Sequence, residues 1–218
     1  MKADLHIHTD HSPDGVSSVA EMLESARSLG MECIAITDHN TMAGYHEAKP
    51  HADGLILVPA MEVSSADGHI LAYGLDKEVT AGMSVRDTVA AIHAAGGIAV
   101  AAHPYRTWSG LGESNVIEDF DAVEVLNGRS AEKGNRSALQ LARRMGKPGT
   151  GGSDAHKVEQ MGDAYSILPS DCRDADDVIN AIKQGKVSTA GGSRTAMGTL
   201  RYVYKAVSEW IGRGFRRM

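Results

Sequence analysis

The sequence predicts an α/β protein in which a parallel sheet is packed between helices. Three observations predict it. Short apolar runs alternate with stretches of helical period along most of the chain. The chain has 218 residues, 42% of them hydrophobic, enough for one domain with a proper core. The unusual polar residues gather where the apolar runs end, as in folds whose strands converge on one ligand-binding face. Repeated units over this length suit either a barrel or a doubly wound sheet.

The elements follow in order. "ADLHI" is a strand in which Leu5 and Ile7 alternate with His6 and His8. Alternate residues share a side, so the apolar pair enters a core while the two imidazoles face the other way together. "SSVAEMLESARSLG" is a helix: Val19, Met22, Leu23, Ala26 and Leu29 recur at helical spacing, Ser17 or Ser18 caps it, and Gly30 closes it. "ECIAIT" is a strand, residues 41–48 a short helix, "LILVPAMEV" a strand and "HILAYGL" another. "SVRDTVAAIHAAG" is a helix, "GIAVAAH" and "FDAVEVLN" are strands, and "SAEKGNRSALQLARRMG" is a helix. "PGTGGSD" is a short strand and loop, followed by a strand at "AYSIL", a helix over 174–184, a strand at "KVSTA" and a helical stretch from about 196.

Composition narrows the function. The net charge of −6 and the pI of about 5.9 disfavour duplex nucleic acid as a partner while permitting a local basic pocket. Aromatic residues make up 5%, so stacking platforms are scarce. No run is long and apolar enough to be a transmembrane segment, and no secretory signal is visible. Two cysteines, Cys33 and Cys172, lack metal-site spacing and suit a reduced, cytoplasmic setting.

Histidine is the anomaly, with ten residues. His6 and His8 close the first strand; Asp38 and His39 in "TDHN" follow the second; Glu62 ends "LILVPAME" and His69 begins "HILAYGL". "HPYR", from His103 to Arg106, follows "GIAVAA", and Asp154 and His156 in "SDAH" follow "GTGG". Isolated solvated residues would not track strand ends in this way. Mixed imidazole and carboxylate ligands suit manganese, iron or zinc better than magnesium or calcium. A bridging carboxylate can hold two such cations about 3.5–4 Å apart, the separation two-metal hydrolases use.

"HIHTDHSPDG", "ITDHN", the glutamate of "AMEVS", "HILAYGL", "AHP" and "GGSDAH" together resemble the PHP (polymerase and histidinol phosphatase) family over residues 2–190. The resemblance implies a distorted (β/α)7 TIM-like barrel over residues 1–195, with two or three divalent transition metals at the C-terminal ends of its strands. It implies that His6, His8, Glu62 and Asp154 hold one metal, that Glu62 bridges to a second completed by His69 and His103, and that Asp14, His39 and His156 hold a third. It also implies a metal-dependent phosphoesterase, with small phosphate monoesters such as nucleotides hydrolysed by a metal-bound hydroxide. The alternatives are an exonuclease or phosphodiesterase on short oligonucleotides and a non-catalytic metal-binding regulatory domain.

Other residues carry two readings each. Arg106 and Arg129 either clamp a phosphate, beside Glu62 and Asp154 in the catalytic set, or form surface ion pairs. Arg194, in a glycine-rich loop, is a third such cation. Asp38 either orients a ligand or caps a helix. His11 lies at the surface of the loop that carries Asp14, and His46, His51 and His93 read as structural. Tyr73 and Tyr105 read as core or rim packing. The last stretch, residues 196–218, reads as a basic amphipathic helix that packs on the barrel or forms a homo-oligomer.

Overall fold

The computed structural model describes residues 1–193, so Arg194 and the stretch 196–218 lie outside the described residues. The strands are β1 (Lys2–Ile7), β2 (Cys33–Ile36), β3 (Ile56–Val58), β4 (Ala60–Ser64), β5 (His69–Tyr73), β6 (Ile98–Ala101), β7 (Ala122–Asn127), β8 (Gly149–Gly152), β9 (Ala164–Ile167) and β10 (Ser188–Gly191). The helices are α1 (Val19–Ser28), α2 (Ala43–Ala48), α3 (Val85–Ala94), α4 (Glu132–Met145) and α5 (Ala175–Lys183).

Local chemistry sets the ends. Ser18 caps α1 in a capping box, its Oγ accepting from Glu21 N while its own N donates to the Glu21 carboxylate. Val19, Met22, Leu23 and Ala26 are buried as the spacing predicts, but Leu29 falls on the C-cap and stays exposed. Asp174 caps α5, and a left-handed Gly146 ends α4.

The strands form two mixed sheets of five, ordered β10-β9-β1-β2-β3 and β4-β5-β6-β7-β8. This corrects the expectation of a (β/α)7 barrel: among the described residues there is no closed barrel, and five helices are too few for seven repeats. The reason lies in the connections. "LILVPAMEV" is not one strand, because Pro59 has no N–H for a ladder and splits it into β3 and β4, which lie in different sheets. The turn between β4 and β5 is too short for a crossover, so that pair is antiparallel, as are β5 with β6 and β9 with β1 and β10. Only β1–β2, β2–β3, β6–β7 and β7–β8 are parallel.

The two sheets share a core. Ala3, Leu5, Cys33 and Val58 from one sheet pack with Ala60, Leu71, Tyr73, Val100 and Ala122 from the other. Ile7 does not join Leu5 there, contrary to strict alternation; it packs under α1 with Met22, Leu23 and Ala26. The β1–β2 register shifts between Asp4 and Ile7, and that irregularity resets which face each residue meets. Two isolated parallel bridges join the sheets, Ile7 with Ala155 and His39 with Glu62. Beside the first, β8 approaches β1 so closely that a Cβ on Gly152 would meet His6 Cβ at 2.4 Å.

Candidate metal centre

The site forms along the seam between the sheets. His6 and His8 are fully buried, and their Nε2 atoms lie 3.1 Å apart. Glu62, on β4, faces both: its Oε2 is 3.3 Å from His6 Nε2 and 3.2 Å from His8 Nε2. Its Oε1 faces a different pair, 3.0 Å from His69 Nδ1 and 3.0 Å from His103 Nε2. His39 stands between the sets, its Nδ1 3.3 Å from Glu62 Oε2. Asp154 Oδ1 closes the other side, 3.6 Å from His8 Nε2 and 3.8 Å from His6 Nε2. At the rim, Asp14 Oδ2 pairs with His156 Nε2 at 2.8 Å, and Asp14 Oδ1 lies 3.7 Å from His39 Nε2.

The backbone holds these residues at element ends and across the seam. Asp154 N donates to His6 O and His8 N to Ala155 O, both at 2.7 Å, while Asn40 N donates to Glu62 O at 2.9 Å. Among the described non-glycine residues, only Asn40, His103 and Asp154 have positive φ, at 60°, 28° and 56°. Side chains pay a conformational cost there that surrounding structure must impose, and such positions cluster at functional sites.

Electrostatics sorts the imidazoles. Burial, reinforced by His156, holds His8 well below its ordinary value; burial and Arg106 lower His103 to about 3; burial also lowers His39. These rings are neutral at neutral pH and offer lone pairs. Burial opposes protonation of His6, but Asp154, Glu124 and Glu62 outweigh it and raise its pKa; Glu62 does the same for His69. Burial likewise opposes ionised Glu62 and Asp154, yet His69, His6 and His39 hold Glu62 well below the usual carboxylate range, and Arg106, His6 and Arg129 do so for Asp154.

The arrangement fits a cation centre. Ligand-type atoms of His6–His8–Asp154, His6–Glu62–His103, His39–Glu62–His69 and His8–His39–His156 each lie within 4.8 Å of one another. Buried Asp14 Oδ1, His39 Nδ1 and His103 Nδ1 have no hydrogen-bond partner, an unfavourable state that bound cations relieve. All nine residues read from the sequence as ligands thus come together.

Both candidate clamps also arrive here, as site ion pairs rather than surface ones. Arg106 Nη2 is paired with Asp154 Oδ2 and donates to Asn127 Oδ1 at 2.8 Å. Arg129 Nη1 is 3.2 Å from Asp154 Oδ1 and within 2.7 Å of the His156 ring nitrogens. Asp38 is an orienting residue and not a helix cap: it accepts from Thr9 N, Thr9 Oγ1 and Ser12 Oγ, and Ser12 Oγ in turn meets His8 Nδ1 at 3.0 Å and accepts from His39 N. His11 pairs with Glu47 and His93 with Asp121, outside the cluster, and Tyr73 is in the core.

Sequence reading missed Glu124 and Asn127. Glu124 accepts from His6 Nδ1 at 2.9 Å and from His103 N at 2.8 Å; Asn127 Nδ2 donates to Glu124 and Asp154. The signal was there: Glu124 is a lone charge in the apolar run "AVEVL", where burial demands a partner.

An α/β fold with carboxylates and imidazoles gathered on a strand-end seam defines a metal-centre protein. The PHP domain matches residues 4–101 and the PHP-associated domain residues 132–187. An uncharacterized protein of Methanocaldococcus jannaschii is 37% identical over 140 residues, 58% of this chain and 82% of that protein. The chain belongs to the PHP domain family. Its fold is similar to a two-domain protein from Bacteroides vulgatus containing a predicted PHP-like metal-dependent phosphoesterase, with a TM-score of 0.73, 17% identity, and 88% of this chain and 64% of that one covered. It is also similar to the lesion-specific endonuclease Q of Pyrococcus furiosus, with a TM-score of 0.70, 16% identity, and 88% and 59% covered. Endonuclease Q has been solved with a 27-mer duplex substrate that carries an abasic lesion at its active site. No helix among the described residues is long and apolar enough to cross a membrane.

Proposed function

We propose that the chain is a metal-dependent hydrolase of phosphoric esters that acts on small phosphate monoesters, nucleotides foremost. One observation carries this: the two oxygens of Glu62 face separate sets of imidazoles, beside two guanidiniums gathered on Asp154. Manganese, iron or zinc held there would polarise phosphoryl oxygens and acidify a water at neutral pH. In this reading His6, His8, Glu62 and Asp154 hold one cation, Glu62, His69 and His103 a second, and Asp14, His39 and His156 a third. Arg106 and Arg129 grip the remaining phosphoryl oxygens. Asp154 aims both guanidiniums, and Glu124 and Ser12 fix the ring orientations of His6 and His8. Two free cysteines, Cys33 buried, suit a reducing cytoplasmic setting.

Hydrolysis of short phosphodiesters is the second reading, and the likeness to an endonuclease favours it. The net charge of −6 supplies no long-range attraction for a polyanion, and two guanidiniums suit one or two phosphates better than a row of them. Manganese-dependent release of phosphate from nucleoside monophosphates, bisphosphates and sugar phosphates, and of mononucleotides or shorter fragments from short single strands, is to be measured. A kcat/KM higher on oligonucleotides than on every monoester replaces the first reading with the second; no release from any of them refutes both.

A further inference from the structure

Trp108 is 68% exposed, on the loop that follows His103. Indole is normally among the better-buried side chains, and this chain has only one other tryptophan, Trp210. The exposure does not come from a loose loop. Arg106 N donates to His103 O, Gly110 N to Arg106 O, and Gly112 N to Pro104 O, at 2.9, 3.1 and 2.9 Å. His69 N donates to Ser109 O at 3.0 Å, which ties the residue after Trp108 directly to the site. Packing is so close that a Cβ on Gly110 would meet Arg106 N and O at 2.7 and 2.6 Å. The backbone on both sides of the indole is fixed to the metal centre while the ring itself stays in solvent.

We propose that Trp108 is a specificity residue: a platform on which the base of a nucleotide stacks while its phosphate lies against Arg106 and the centre. The inference rests on the phosphoesterase reading and adds the substrate class. Only Thr107 separates Trp108 from Arg106, whose guanidinium is held at Asp154. An aromatic face accepts any base, because every base has a π-face, and an anchored loop backbone loses little entropy on binding.

The test uses manganese-loaded full-length protein. Trp108→Ala is expected to raise KM for nucleoside monophosphates about tenfold, in keeping with the size of base–aromatic stacking. Its kcat should change little, its KM for ribose 5-phosphate should not change, and Trp108→Phe should restore most of the loss. In a Trp210→Phe background, nucleoside monophosphates should quench tryptophan fluorescence and ribose 5-phosphate should not. Equal KM changes on both substrates, or no quenching by nucleotides, overturn the proposal. So does an indole that acrylamide cannot reach in the free protein, the result if residues 194–218 or a second copy cover it. Quenching without hydrolysis of any monoester would refute the monoesterase reading and leave the base platform standing; hydrolysis without base dependence would do the reverse.

Discussion

Glu124 Oε1 lies 2.9 Å from His6 Nδ1, inside a strand where both of its neighbours are valine. That contact commits His6 Nε2 to the centre. Glu124→Gln keeps the shape but turns a donor toward either His6 Nδ1 or His103 N. The expected result is a loss of about 10–100-fold in metal affinity or activity, the size typical of groups that orient a ligand. Metal titration followed by activity checks this, with circular dichroism reporting an unchanged fold.

Asp154→Ala and His8→Ala should both cost on the order of 100-fold or more in turnover and yet differ in stability. Removing Asp154 takes the shared carboxylate away from the half-buried Arg106 and Arg129 guanidiniums, a loss of about 3 kcal/mol. At this chain length that lowers Tm by roughly 6–12 °C. His8 is neutral in the fold, so its loss leaves no bare charge and a much smaller drop. Thermal melts of the metal-free variants separate the two cases.

Chelation should loosen the seam. Ligand-type side chains come from both sheets, so bound metal stabilises their junction as well as each residue. At a free metal concentration of about 100 Kd the gain is roughly 2.7 kcal/mol, or about 5–11 °C in Tm. Calorimetry with and without chelator, with manganese added back, measures it. An unchanged Tm would mean that the centre holds no metal.

Glu78 gives a pH prediction remote from the centre. Its carboxylate accepts from Met42 N at 2.7 Å and Thr41 Oγ1 at 2.9 Å, which anchors the start of α2, whose own N-cap has no side-chain bond. The Met42 amide, then Thr41, lowers its pKa below the ordinary 4.5. The folded pKa is depressed, so the stabilisation is full above the ordinary value and is lost as pH falls through the folded one. Glu78→Ala should cost about 0.3–1 kcal/mol at pH 7, as for exposed charges at helix starts, and progressively less below pH 4.5. Paired melts of wild type and variant across pH measure the difference.

Much of the centre was legible because its chemistry is local. A histidine two residues from another, or an aspartate after a glycine-rich strand, stands out against apolar neighbours. Glu124 was not singled out because it sits inside an apolar run, and its role depends on His6, 118 positions away. For Arg106 the sequence allowed both a clamp and a surface pair, because its partner Asp154 is 48 positions away. Sheet topology was the least legible feature. Strand–helix alternation identifies parallel neighbours only where a helix crosses over, and neither Pro59 nor the turn from β4 to β5 announces which sheet the next strand joins.

The left-handed backbone at His103 and Asp154 has an evolutionary consequence. Each of these residues holds a conformation that glycine would adopt freely, at a cost on the order of 1 kcal/mol or more. Under the proposed function, selection for turnover keeps the imidazole and the carboxylate there against that steady pull. A descendant relieved of catalysis would still not gain from glycine at either position: Asp154 also neutralises Arg106 and Arg129, and loss of the buried His103 ring would leave a cavity. Side chains at 103 and 154 are therefore held by packing and charge as well as by any chemistry, and should persist even in relatives that have lost activity.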